Sequence, residues 1–217
     1  RPEPWTETRR LQVFLAGSTA SSNFTPIFVA YQPTYGGGSY DGFVTMLQYD
    51  GSSVTSSTYL GSTGEEHCLA VELDPSWSPV ITGMTNSPTF PVTGGAYDAT
   101  FNGDHDVFIT QLTPLGNMIE STFYGGSAAD IPYAFKIDNG GRWYLTGTTL
   151  SADFPSTIPG SNYSGGSIDV WVAKFATQGP DTCAACASPR CLKAFPPRGM
   201  ARVHSSSSFT SQSAKGW

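Results

Sequence analysis

Short apolar runs with intervening polar residues recur along residues 11–179, among them Phe43 to Tyr49, Val80 to Thr85, Val107 to Leu112, Arg142 to Thr148 and Val170 to Phe175. Each is rich in Val, Ile, Thr and aromatic residues and is bounded by Gly, Asn, Asp or Pro. That is the pattern of β-strands in an antiparallel sheet. The runs also repeat. Gly17, Gly83 and Gly147 stand in equivalent segments (Leu15 to Thr19, Ile81 to Thr85, Leu145 to Thr149), 66 and 64 residues apart. A phenylalanine follows seven residues beyond each glycine: Phe24, Phe90 and Phe154. An aspartate two residues before an aromatic recurs as Asp41/Phe43, Asp106/Phe108 and Asp169/Trp171. Ser57-Thr58-Tyr59-Leu60-Gly61 returns as Ser121-Thr122-Phe123-Tyr124-Gly125, spaced by 64.

Four markers thus agree on one period, and a fixed period of this kind is the signature of a repeat architecture. Each period holds four predicted strands. The first runs from Leu69 to Asp74 and from Tyr133 to Asp138. The second runs from Leu11 to Ser18, Val80 to Thr85 and Arg142 to Thr148. The third runs from Phe43 to Tyr49, Val107 to Leu112 and Val170 to Phe175, and the fourth from Ser57 to Leu60 and Ser121 to Tyr124. Asp138-Asn139-Gly140-Gly141 supplies the tight turn between a first and a second strand, and Asp74 to Pro79 fills the equivalent slot.

Four antiparallel strands repeated in this way predict an all-β chain of β-propeller blades. The motifs Gly125 to Asp130, Tyr133-Ala134, Ile137-Asp138, Tyr144 to Gly147 and Asp153-Phe154-Pro155 resemble the bacterial SBBP repeat, a β-propeller repeat, over about residues 11–179. The first copy departs from it where Thr25 separates Phe24 from Pro26, and the second where Glu65-Glu66-His67-Cys68 replaces a Gly/Asp/Tyr-rich turn. The resemblance implies a secreted or cell-surface location and transfers architecture rather than chemistry. Ten strands make about two and a half blades, whereas a closed propeller needs about four or more. The incomplete propeller is therefore expected to be a fragment, or to be completed by the remaining blades or by self-association.

Charge divides the chain into three segments. Residues 11–179 hold three bases and fourteen acids, a charge of −11; residues 180–217 carry +4 and residues 1–10 carry +1. A body so acidic repels phosphate backbones, which excludes nucleic acid as its partner, and the apolar runs are too short for membrane insertion. Only 13% of residues are charged, and Gly (24) and Pro (16) are abundant, which argues against a helical bundle. Residues 1–10 form an N-terminal flank. The basic, Ser/Pro-rich tail at 180–217 lacks the repeat and is expected to be disordered. Cys183, Cys186 and Cys191 in this tail have only His204 as a possible fourth zinc ligand.

Two loops offer candidate chemistry. Asn102, Asp104 and Asp106 place oxygens at alternate positions, as calcium loops do; against this, only the last aspartate recurs in the equivalent turns, where it would tie the turn by bonding backbone N–H groups. Glu66, Asp130 and Tyr133, at the entries to first strands, could bind a sugar or cation if these turns form the rim of a propeller mouth; a solvated acidic rim is the plainer reading. No catalytic residue is assigned, since no nucleophile elbow, zinc-protease helix motif or comparable arrangement is present. The expectation is a non-enzymatic scaffold or adhesion and binding module for carbohydrate or protein, with no required cofactor. The alternative is a piece of a propeller lyase or hydrolase whose catalytic residues lie in other blades.

Overall fold

Among the described residues the strands form three antiparallel sheets. The computed structural model describes residues 12–24, 30–156, 167–177 and 192–194, and all regular structure among them is β. Sheet one is ordered β1 (Val13–Thr19), β2 (Asp41–Leu47), β3 (Val54–Leu60). Sheet two is ordered β4 (Glu66–Leu73), β5 (Pro79–Thr85), β6 (Asp106–Leu112), β7 (Met118–Tyr124). Sheet three follows β8 (Asp130–Ile137), β9 (Trp143–Thr149), β10 (Asp169–Thr177) and the three-residue β11 (Leu192–Ala194). The grouping matches the repeat: strands two to four of one copy, all four of the next, then a third copy beginning at its first strand.

The largest boundary differences from expectation, three residues each, fall at the first and fourth strands, and bulges explain both. The first strands start at Glu66 and Asp130 rather than at Leu69 and Tyr133, because the register shifts between Cys68 and Ala70 and between Pro132 and Ala134. A bulge inserts one unpaired residue and breaks the alternation from which a strand is read. Likewise β3 and β7 start three residues early, beyond shifts at Met46/Leu47 and Gln111/Leu112. Within the tail, Leu192–Ala194 pairs with Phe175 to Thr177 instead of lacking structure. The rest of 180–217, with its cysteines, and the flank 1–10 lie outside the described residues.

Three of the four sequence markers meet in one packing unit. The marker glycine of the second strand lies opposite the marker aromatic of the third: Gly17 opposite Phe43, Gly83 opposite Phe108, Gly147 opposite Trp171. The ring lies across the glycine, so a Cβ on Gly83 would come 2.6 Å from Phe108 Cζ, and one on Gly147 2.6 Å from Trp171 Cζ2. The loop phenylalanine covers the same ring, with centroid separations of 4.6 Å for Phe24–Phe43, 4.5 Å for Phe90–Phe108 and 5.2 Å for Phe154–Trp171. Burying each such ring contributes about 1.5–3 kcal/mol. The fourth marker ties that long loop down: Thr58 Oγ1 accepts the Gln32 N–H and Thr122 Oγ1 the Asp98 N–H, both at 2.9 Å.

The sheets pack face to face in chain order. Val44, Leu60, Cys68, Ile81, Phe108 and Phe123 close the contact between sheets one and two. Val107, Ile109, Tyr124, Trp143, Leu145 and Phe175 do the same between two and three. Sheet two approaches sheet one through β4, which runs beside β1 and β2, and sheet three approaches sheet two through β8, which runs beside β4, β5 and β6.

Candidate functional site

Four of the acids singled out in the sequence, Asp41, Glu66, Asp106 and Asp130, lie at the seams between sheets. An aspartate opens the third strand of one sheet, an acid opens the first strand of the next, and a glycine ends the fourth strand between them. Seam one brings together Asp41, Glu66 and Gly61; seam two brings together Asp106, Asp130 and Gly125. All four acids are fully buried. A Cβ on Gly125 would lie 2.4 Å from Asp106 Oδ1 and 2.9 Å from Asp130 Oδ2, and one on Gly61 would lie 2.5 Å from Glu66 Oε2 and 2.9 Å from Asp41 Oδ1. Only glycine lets the chain pass so close to two carboxylates.

One oxygen of each carboxylate ties a loop. Asp41 Oδ2 accepts the Gly36 N–H at 2.5 Å, and Asp106 Oδ2 the Asn102 N–H at 2.8 Å. Glu66 accepts the Ser62 N–H and the Thr85 hydroxyl, each at 2.8 Å. Asp130 Oδ2 accepts the Gly126 N–H at 2.6 Å and the Ser151 hydroxyl at 2.9 Å. The second oxygens of Asp41 and Asp106 have no hydrogen-bond partner among the described residues. Among the described residues no base neutralises the pairs, since Lys136 bonds Glu72, Arg142 bonds Asp138 and Lys174 lies over the Tyr144 ring. Burial therefore pushes every seam carboxyl above its usual range. In Asp106 it outweighs the Asn102 N–H and, with the nearby charges of Asp130, Asp98 and Asp153, brings the pKa to about 6.

This geometry divides the residues expected at a rim. Glu66 and Asp130 sit in different seams, buried between sheets, and act as posts that hold turns in place. Tyr133 stands 69% exposed on β8, with its hydroxyl 3.5 Å from Thr148 Oγ1. Its equivalent on β4 is Leu69, also exposed. Both are the residues skipped by the strand bulges, and a bulge re-aims a side chain. Leu69 was missed by sequence reasoning because its apolar character placed it inside a strand; the register that exposes it leaves no mark on composition.

The candidate calcium residues also serve separate partners. Asn102 turns its amide to Asp98 Oδ2 at 2.8 Å. Asp104 is exposed and lies 3.3 Å from His105 Nδ1, and Asp106 is sealed in the second seam. Among the described residues no group of three or more His, Cys, Asp or Glu side chains is arranged to hold a metal ion, and no helix is long and apolar enough to cross a membrane. Cys68, buried against Gly42, has its thiol pushed up to about 12 by burial. Compared with known proteins, the chain matches no family model and no curated protein.

Proposed function

We propose that the chain is a run of β-propeller blades of SBBP-like repeat, serving as a non-enzymatic scaffold or adhesion module of a secreted or cell-surface protein. The observation that carries this reading is the approach of successive equivalent sheets through β4 and β8, as blades approach around a propeller axis. The first strand of each blade is then the innermost, and the bulge residues Leu69 and Tyr133 face the channel. Tyr133, with an apolar ring and a hydroxyl, is suited to stack on a sugar or to anchor a protein side chain. The seam acids have a structural task, because each is buried and bonded to a loop N–H.

A glycan array probed with the purified chain tests this, with reducing-end release measured on each glycan bound. Binding without cleavage, weakened at least tenfold by Tyr133→Ala, is the expected result. Cleavage of a bound glycan favours the propeller lyase or hydrolase. Binding indifferent to Tyr133→Ala removes the first strands from the ligand site.

A further inference from the structure

The repeat contains its own control for which surfaces are meant to be covered. Val44, Ile109 and Val172 are equivalent residues on the third strands of sheets one, two and three, and all point toward the following sheet. The first two have such a sheet over them and are 5% and 0% exposed; Val172 is 50% exposed. Leu15, Ile81 and Leu145 are equivalent residues on the second strands and point toward the preceding sheet. Their exposures run the opposite way: 46%, 0% and 1%. The described residues thus present two bare flanks of opposite kind. One is on sheet three, where Ile168, Val170 and Val172 are exposed together. The other is on sheet one, where Val13 and Leu15 are exposed together.

These flanks are the two halves of a contact the chain already makes twice internally. Ile109 packs in one cluster with Leu145, and Val44 in one cluster with Ile81. The apolar face of Val172 therefore calls for the face of Leu15, from which sheet two separates it among the described residues. We propose that a second copy of this chain docks head to tail, with its sheet one laid on sheet three through Leu15 and Val172. The contact is heterologous, so it either closes into a ring or continues as an open series. Two copies bring six sheets, a number within the range of closed propellers. Ring closure rests on the propeller reading; the docking itself rests only on the equivalence of the flanks.

The test is light scattering on the full chain across a concentration series, with Val172→Asp and Leu15→Asp as separate variants. Each variant keeps one intact flank. The wild type is expected at twice 23.1 kDa, each variant alone at the monomer mass, and an equal mixture of the two as a dimer again. Restored association in the mixture also shows that both variants are folded, and a thermal melt of each confirms it. An open ladder of higher oligomers keeps the docking and overturns the ring. A wild type that stays monomeric at all concentrations, folded variants that fail to combine, or association untouched by either substitution overturns the proposal.

Discussion

Asp106→Asn probes the seams at the point where burial and charge act together. Asp106 is buried opposite Asp130, with Asp98 and Asp153 nearby and no base among the described residues to offset them; its pKa of about 6 compares with an ordinary 3.8. The folded chain thus holds a proton that the unfolded chain releases at lower pH. Its contribution to stability is complete below the unfolded value and is lost as pH rises through about 6. A difference of this size corresponds to about 3 kcal/mol across the whole range, and screening at a seam capped by solvated loops reduces it to about 1–2 kcal/mol. Urea unfolding of the wild type, followed by the fluorescence of buried Trp143 and Trp171, should show higher stability at pH 5 than at pH 8. Asn at position 106 keeps an oxygen for the Asn102 N–H and brings no charge. The variant should gain about 1 kcal/mol at pH 8 and lose the part of the pH dependence that Asp106 supplies, while the raised carboxyls of Asp41, Glu66 and Asp130 keep theirs. Asp104→Asn, at an exposed position, should change neither. A wild type whose stability is flat or rises between pH 5 and pH 8, or a destabilised Asp106→Asn at pH 8, would refute the account of the seams.

Three further outcomes follow from the packing. Gly83→Ala places a Cβ 2.0 Å from the His67 carbonyl and 2.6 Å from Phe108, so it should cost about 3 kcal/mol or more in denaturant unfolding, whereas Gly94→Ala, with open space around it, should change stability by less than about 0.5 kcal/mol. Phe90→Ala removes the ring stacked on Phe108 and packed near Phe123, with an expected loss of about 3–5 kcal/mol. Trp77 has a φ of 63° in the turn where Gly141 has 74° and is exposed, so Trp77→Gly should raise stability by about 0.5–1 kcal/mol, as the relief of backbone strain exceeds the added chain entropy; a lower melting temperature contradicts this.

The strand set was legible because its markers are steric necessities. A glycine under an aromatic ring, and a phenylalanine over it, cannot be exchanged freely, and so the period survives in the sequence. The seam was half legible. Asp41 and Asp106 were recognised as turn-tying residues, and Asp106 does bond the Asn102 N–H. What the sequence does not display is that Glu66 and Asp130 lie beneath the same glycines, since the partners in each seam come from different repeats. Their acidity placed them at a solvated rim, whereas the structure buries them and ties each to one loop N–H group. Leu69 shows the converse error, because a one-residue bulge turns outward an apolar side chain read as part of a strand, whereas Tyr133, expected at an exposed turn, is exposed.

The most direct test of the central claim, that successive copies are arranged as propeller blades, is a pair of distances from spin labels. One pair sits on the first strands, at Leu69 and Tyr133; the other sits on equivalent outer turns between third and fourth strands, at Ser52 and Asn117. Cys183, Cys186 and Cys191 are replaced by Ser, and Cys68, buried with its thiol pushed up to about 12, escapes labelling in the folded chain. Each pair spans one step of the repeat. A clearly shorter distance is expected for Leu69–Tyr133 than for Ser52–Asn117, because propeller blades converge at the axis and splay outward. Equal distances would mean that the sheets stack as flat parallel layers, and the propeller reading would be wrong.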